Sequence, residues 1–132
     1  MQEAIHAKAT KWTDVSILVN LGLKKSFWDN MIPIYQEFFE NERSADWRIF
    51  IFSGDFDAAV PFLATQRWIK CLGRPVKNDW HNWRVNNQVA GGLIEYDKLT
   101  FLTVKGSGHM VPYYTPDKGL ALFKRFVDKE EF

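Results

Sequence analysis

Two short stretches of the chain hold side chains that could move protons. Ser53-Gly54-Asp55-Phe56-Asp57 offers two carboxylates, and Gly106-Ser107-Gly108-His109-Met110 offers an imidazole. A carboxylate that accepts a hydrogen bond from one histidine ring nitrogen fixes the tautomer of that ring. It also stabilises the imidazolium formed when the ring takes a proton. Such a pair activates a hydroxyl nucleophile for acyl transfer. Each stretch alone has a plainer reading as well. A Gly-Asp pair suits a turn, because Asp bonds its own backbone and Gly accepts positive φ. A histidine between glycines also serves as a structural or solvated loop residue.

The surrounding pattern gives the two stretches a common setting. Residues 47–52, Trp-Arg-Ile-Phe-Ile-Phe, form a compact aromatic and β-branched run that stops at Ser53-Gly54-Asp55. Residues 99–104, Leu-Thr-Phe-Leu-Thr-Val, form a second such run, stopped by Lys105-Gly106-Ser107-Gly108. Both read as buried strands ending in polar loops. A helix is expected over residues 64–72, closed by Gly73 before Pro75. Residues 80–104 read as a β meander with a tight turn at Asn86-Asn87, since Asn tolerates positive φ. Thr115-Pro116-Asp117 opens a last helix with a cap, a proline at the first position and an acid in the first turn. Its buried face is expected to be Leu120, Phe123, Phe126 and Val127. Upstream, residues 2–9 read as a short helix and residues 10–30 as irregular, anchored by Trp12, Phe27 and Trp28. A helix over residues 32–41 follows, with Pro33 in its first turn and Ile34, Tyr35, Phe38 and Phe39 at helical spacing. Two buried strands, each leading through a polar loop to a helix, indicate an α/β sheet. In such sheets the chemistry lies at the carboxyl ends of the strands.

Composition removes several function classes. With 46% hydrophobic and 25% charged residues in 132, the chain suits one globular domain with a core. The 17 basic and 16 acidic residues are well mixed, so no basic stripe for nucleic acid is present. No unbroken apolar window reaches membrane-spanning length, and the opening residues lack the pattern of a secretory leader. The single Cys71 excludes an intrachain disulfide and a multi-cysteine metal site, and is expected to be buried on its helix. His6 and His81 have no ligand spacing, so neither metal nor cofactor is expected. None of the seven asparagines lies in a glycosylation sequon. Trp80, Trp83 and Tyr96 are expected to pack on the sheet.

Ser-Gly-Asp-x-Asp-x-x-Val-Pro at residues 53–61 and Gly-Ser-Gly-His-Met-Val-Pro at residues 106–112 closely resemble the acid and histidine motifs of the serine carboxypeptidases. Further landmarks run along nearly the whole chain: Gln2-Glu3-Ala4-Ile5-His6-Ala7, Trp12-Thr13, Ile32-Pro33-Ile34-Tyr35, and Trp83 through Gln88-Val89-Ala90-Gly91 to Leu99-Thr100-Phe101. The resemblance implies that residues 1–132 are the C-terminal portion of an α/β-hydrolase sheet with flanking helices and a β meander. It implies that Asp57 is the triad acid, His109 the triad base and Asp55 a loop-shaping residue. It also implies that Met110 lies in the pocket for the substrate's C-terminal side chain, where core packing is the competing reading. Asp before His agrees with the α/β-hydrolase chain order of serine, acid, histidine.

The departures from the family pattern carry equal information. No Gly-x-Ser-x-Gly elbow occurs anywhere, and none of Ser16, Ser26, Ser44 and Ser53 has the flanking glycines. Ser107 follows the acid and adjoins the histidine, which is the wrong side of the motif order. The nucleophile is therefore expected on a missing N-terminal part or a partner chain, with this chain inactive alone and a peptide as the substrate of the whole. Some family members are cleaved into a serine-bearing large chain and a small chain bearing Asp and His, and this chain resembles the latter. The opening Met1 argues against a simple internal cut and leaves open a short reading frame, an expressed fragment or an incompletely described chain. Val15 stands where the family usually has a cysteine, so a typical disulfide is gone. The family address is lysosomal, vacuolar or secreted. A noncatalytic remnant serving as a binding or assembly module is the alternative, and acyltransferases share the same triad.

Overall fold

The computed structural model describes residues 16–23 and 29–132. The chain divides into two units, residues 1–31 and 32–132. Within the first, α1 runs Ile17–Gly22, inside the stretch expected to be irregular. Ser16 starts it: its Oγ accepts the Val19 N–H at 3.4 Å, supplying a partner for a first-turn donor. The expected helix at residues 2–9 and the anchors Trp12, Phe27 and Trp28 lie outside the described residues.

The second unit is a four-stranded mixed sheet with helices on both faces. Its elements are α2 (Ile32–Glu40), a 3-10 turn (Glu42–Ser44), β1 (Ile49–Gly54), α3 (Phe62–Lys70), β2 (Val76–Val85), β3 (Gln88–Tyr96), β4 (Leu99–Val104), α4 (Val111–Tyr114) and α5 (Pro116–Val127). The strand order is β1-β4-β3-β2. β1 and β4 are parallel, with Ile49 opposite Leu99 and Gly54 opposite Val104. β4, β3 and β2 form the expected antiparallel meander. Asn86 and Asn87, at φ of 49° and 63°, make its tight turn.

β4 is buried along its whole length, so its side chains feed two cores in alternation. Leu99 and Phe101 pack with Phe39, Ile69 and Leu72 beneath α2 and α3. Leu102 and Val104 pack with Trp83, Val111 and Leu122 beneath α4 and α5. Trp83 is also bonded, its Nε1–H donating to the Thr103 carbonyl at 2.8 Å. Gly91 makes room for this: a Cβ there would stand 1.9 Å from that same oxygen. Tyr96 is buried as expected, whereas Trp80 stays partly exposed and lays its indole over Gly92.

Four sequence expectations are corrected. β1 is an edge strand, with β4 its one partner among the described residues, and Phe52 is exposed despite the apolar run. Cys71 is exposed, because α3 ends at Lys70 and leaves Sγ facing the Arg67 carbonyl at 3.5 Å. α5 buries Leu122, while Leu120, Phe123, Phe126 and Val127 are exposed. At about 100° per residue the helix carries two apolar stripes, and only the Leu122 stripe meets the sheet. Thr115 precedes α5 but makes no cap bond; its Oγ1 donates to the Val111 carbonyl at 3.2 Å.

Candidate active site

The parallel pairing of β1 with β4 sends both loops out from the same end of the sheet. Gly54 ends β1, and a Cβ on it would meet the Ser107 carbonyl oxygen at 2.2 Å and that of Gly108 at 2.4 Å. The two loops thus touch backbone to backbone, a fit that requires glycine at position 54. Hydrogen bonds then join them. The Asp55 N–H donates to the Val104 carbonyl at 3.1 Å and the Phe56 N–H to the Ser107 carbonyl at 2.9 Å. Asp55 Oδ1 accepts the Gly106 N–H at 2.7 Å. Asp55 therefore shapes the loop, as its place in the motif implies.

Asp57 and His109 meet above this junction. His109 Nδ1 and Asp57 Oδ2 are 2.8 Å apart. The other carboxylate oxygen is held from below, accepting the Ala59 N–H at 2.8 Å and the Val60 N–H at 3.0 Å. The Val60 bond, then His109, then the Ala59 bond hold the Asp57 carboxyl below the usual carboxylate range. Asp57 is thereby kept ionised and aimed. Its side chain is only 6% exposed, whereas that of His109 is 65% exposed. With Nδ1 engaged by the acid, Nε2 has no hydrogen-bond partner among the described residues. A carboxylate on one ring nitrogen and an open second nitrogen is the arrangement of a general base waiting for a hydroxyl.

No described serine supplies that hydroxyl. Ser107 is fully buried, its Oγ donating to the Gly108 carbonyl at 3.3 Å. Ser53 is buried too, its Oγ 3.5 Å from Thr65 Oγ1. Ser44 Oγ bonds the Asn41 carbonyl at 2.7 Å, and Ser16 caps α1. An open hollow of about 270 Å³ lies beside the pair, lined by Ile51, Phe52, Val60, Thr65, Trp68 and Val111. Met110 is 54% exposed, so it is not part of this chain's core. α4, which sequence reasoning did not foresee, anchors the far side of the histidine loop through buried Val111.

A family model for serine carboxypeptidases matches residues 1–129. The chain belongs to the serine carboxypeptidase family. It is 41% identical to serine carboxypeptidase 24 of Arabidopsis thaliana over 135 residues, covering 99% of this chain and 28% of that protein. It is 35% identical to serine carboxypeptidase-like 26 of Oryza sativa subsp. japonica over 136 residues, covering 99% of this chain and 27% of that protein. The chain spans a little over a quarter of the length of the curated carboxypeptidase relatives it matches. Among the described residues no helix is long and apolar enough to cross a membrane.

Proposed function

We propose that this chain supplies the acid and the base of a serine carboxypeptidase triad, while the nucleophilic serine lies on another portion of the same enzyme. The observation that carries this reading is the 2.8 Å contact between Asp57 Oδ2 and His109 Nδ1, with the acid fixed by backbone donors and the base exposed. In the assembled enzyme His109 Nε2 takes the serine proton as Oγ attacks the carbonyl of the C-terminal peptide bond. Asp57 stabilises the imidazolium. The proton then passes to the departing amino acid, and water drawn in by His109 hydrolyses the acyl-enzyme. Met110, exposed and next in sequence to His109, would meet the departing residue's side chain.

The edge of β1 that has no strand partner among the described residues, and the outer stripe of α5, support the need for a serine-bearing partner. Unpaired strand groups and a contiguous apolar face are costly in water. The partner would add its strand to β1 and bring the serine and the oxyanion donors to the open side of His109. Alone, the chain is expected to be inactive. The expected address is the family's: lysosome, vacuole or outside the cell.

The test is labelling with a serine-directed fluorophosphonate, after size exclusion and intact-mass analysis of the native protein. A larger co-purifying polypeptide should take the label and lose it when His109→Ala is introduced. A folded chain that elutes alone and never labels would replace this reading with a noncatalytic binding or assembly module.

A further inference from the structure

The exposed imidazole of His109 gains little packing, so its position depends on the backbone beneath it. That backbone is weakly determined by its own sequence. Gly106 has φ +77, in the left-handed region, and Gly108 follows two residues later. Flanking glycines give a turn wide freedom unless something outside it intervenes. The buried Ser107 hydroxyl reaches only the next carbonyl along the chain, at 3.3 Å. Lys105 is tied elsewhere, its N–H donating to the Ala90 carbonyl at 2.7 Å and its own carbonyl accepting from Lys118 Nζ at 2.6 Å, and buried Val111 anchors the far side. The remaining external ties come from the acid loop. Those of the Asp55 and Phe56 N–H groups are backbone bonds, available to any non-proline side chain. The third is the 2.7 Å bond from the Gly106 N–H to Asp55 Oδ1, and it is made by a side chain.

We infer that Asp55 is a positioning residue for the base: by holding Gly106 it sets the register of the histidine loop that brings His109 Nδ1 to Asp57. Asp55 acts only as an acceptor here, so an amide oxygen at the same reach can replace it. The inference rests on reading Asp57 and His109 as the acid–base pair.

The test uses the Nδ1–H proton resonance of His109, which moves far downfield when a carboxylate holds that proton. It is recorded in the 132-residue chain beside the indole N–H resonance of Trp83, whose bond to Thr103 reports the core. Asp55→Ala should weaken or abolish the His109 signal through solvent exchange. Asp55→Asn should keep it, and the Trp83 signal should hold in both. In the assembled enzyme Asp55→Ala should slow fluorophosphonate labelling roughly 10- to 100-fold, the effect of a displacement near 1 Å, with Asp55→Asn restoring the rate. A His109 resonance with wild-type shift and exchange rate in Asp55→Ala overturns the inference. If that variant loses the Trp83 signal as well, Asp55→Asn and Asp55→Glu decide. The second places its acceptor one carbon further out, so identical His109 signals in the two overturn the inference. A His109 signal that responds as described in a chain whose complexes never label leaves the positioning role standing and sinks the functional reading instead.

Discussion

Gly54→Ala tests the junction on which the site is built. The added Cβ would stand 2.2 Å from the Ser107 carbonyl oxygen and 2.4 Å from that of Gly108, and neither is a flexible side-chain end. Ordinary contact begins at 3.4 Å, so the loops must part by about 1.2 Å or the strand ends must bend. Either movement stretches the bonds Phe56 N–H to Ser107 at 2.9 Å and Gly106 N–H to Asp55 at 2.7 Å beyond useful length. Overpacking costs about 1–3 kcal/mol, and two lost hydrogen bonds add about 1 kcal/mol each. We expect a loss of roughly 3–5 kcal/mol and a fall in Tm on the order of 10 °C or more. Urea unfolding followed by Trp fluorescence reads the first, and the His109 Nδ1–H resonance reads the geometry. Gly22→Ala is the control, because nothing lies within 4 Å of its Cβ. A Gly54→Ala chain within 0.5 kcal/mol of wild type (about the scatter of neutral surface changes), with its His109 resonance unmoved, refutes the backbone contact.

Asp57→Asn keeps an acceptor for the Ala59 and Val60 N–H groups but withdraws the charge that selects the His109 tautomer. In the assembled enzyme kcat is expected to fall by about 10⁴ at neutral pH with little change in KM, measured on a peptide substrate. Acid stability follows from two carboxylates. Asp57 and Asp97 are both held below the ordinary carboxylate range, the latter first by Lys77 and then by Arg74. A lowered folded-state pKa stabilises fully above the unfolded value of about 3.9 and is lost as pH falls through the folded value. Urea midpoints should therefore be level above about pH 5 and drop below about pH 4, with Asp57→Asn flattening the slope. Trp83→Phe removes the indole donor and leaves the buried Thr103 carbonyl one partner short. A loss of about 1–3 kcal/mol in urea is expected, and a change under about 0.5 kcal/mol would dismiss the bond as a contributor.

Strand and turn chemistry is local, and it was legible. The runs at residues 47–52 and 99–104 became β1 and β4, and Asn86-Asn87 became the hairpin turn. An α/β sheet with the two chemical loops at strand ends followed from strand, loop, helix repeated in order; the parallel pairing of β1 with β4 came from the structure. Three features were not legible because they depend on what lies opposite. α5 has two apolar stripes, and only the tertiary structure selects Leu122 over Leu120, Phe123 and Val127. β1 is apolar enough for a central strand yet stands at an edge. The demand for glycine at position 54 arises from Ser107 and Gly108, more than 50 residues away, and nothing in residues 53–61 announces it. α1 did leave a signal: Ser16 before Ile17-Leu18-Val19 is an N-cap before an apolar run. Asp57 and His109 were legible as motif residues, while the contact between them needed the sheet.

Because β1 and β4 are neighbours in register, the acid and the base rise from strands one hydrogen-bonded spacing apart, about 4.8 Å. That spacing is a property of the polypeptide backbone, so the sheet fixes where the two loops begin, and the contacts between the loops set the rest. Asp57 departs three residues beyond Gly54 and His109 five beyond Val104, which leaves little slack for error. The pair therefore behaves as a calibrated half-instrument. On the proposed reading, the tolerance left to the complete enzyme would lie across the outer edge of β1, where the serine-bearing portion would present its hydroxyl to His109.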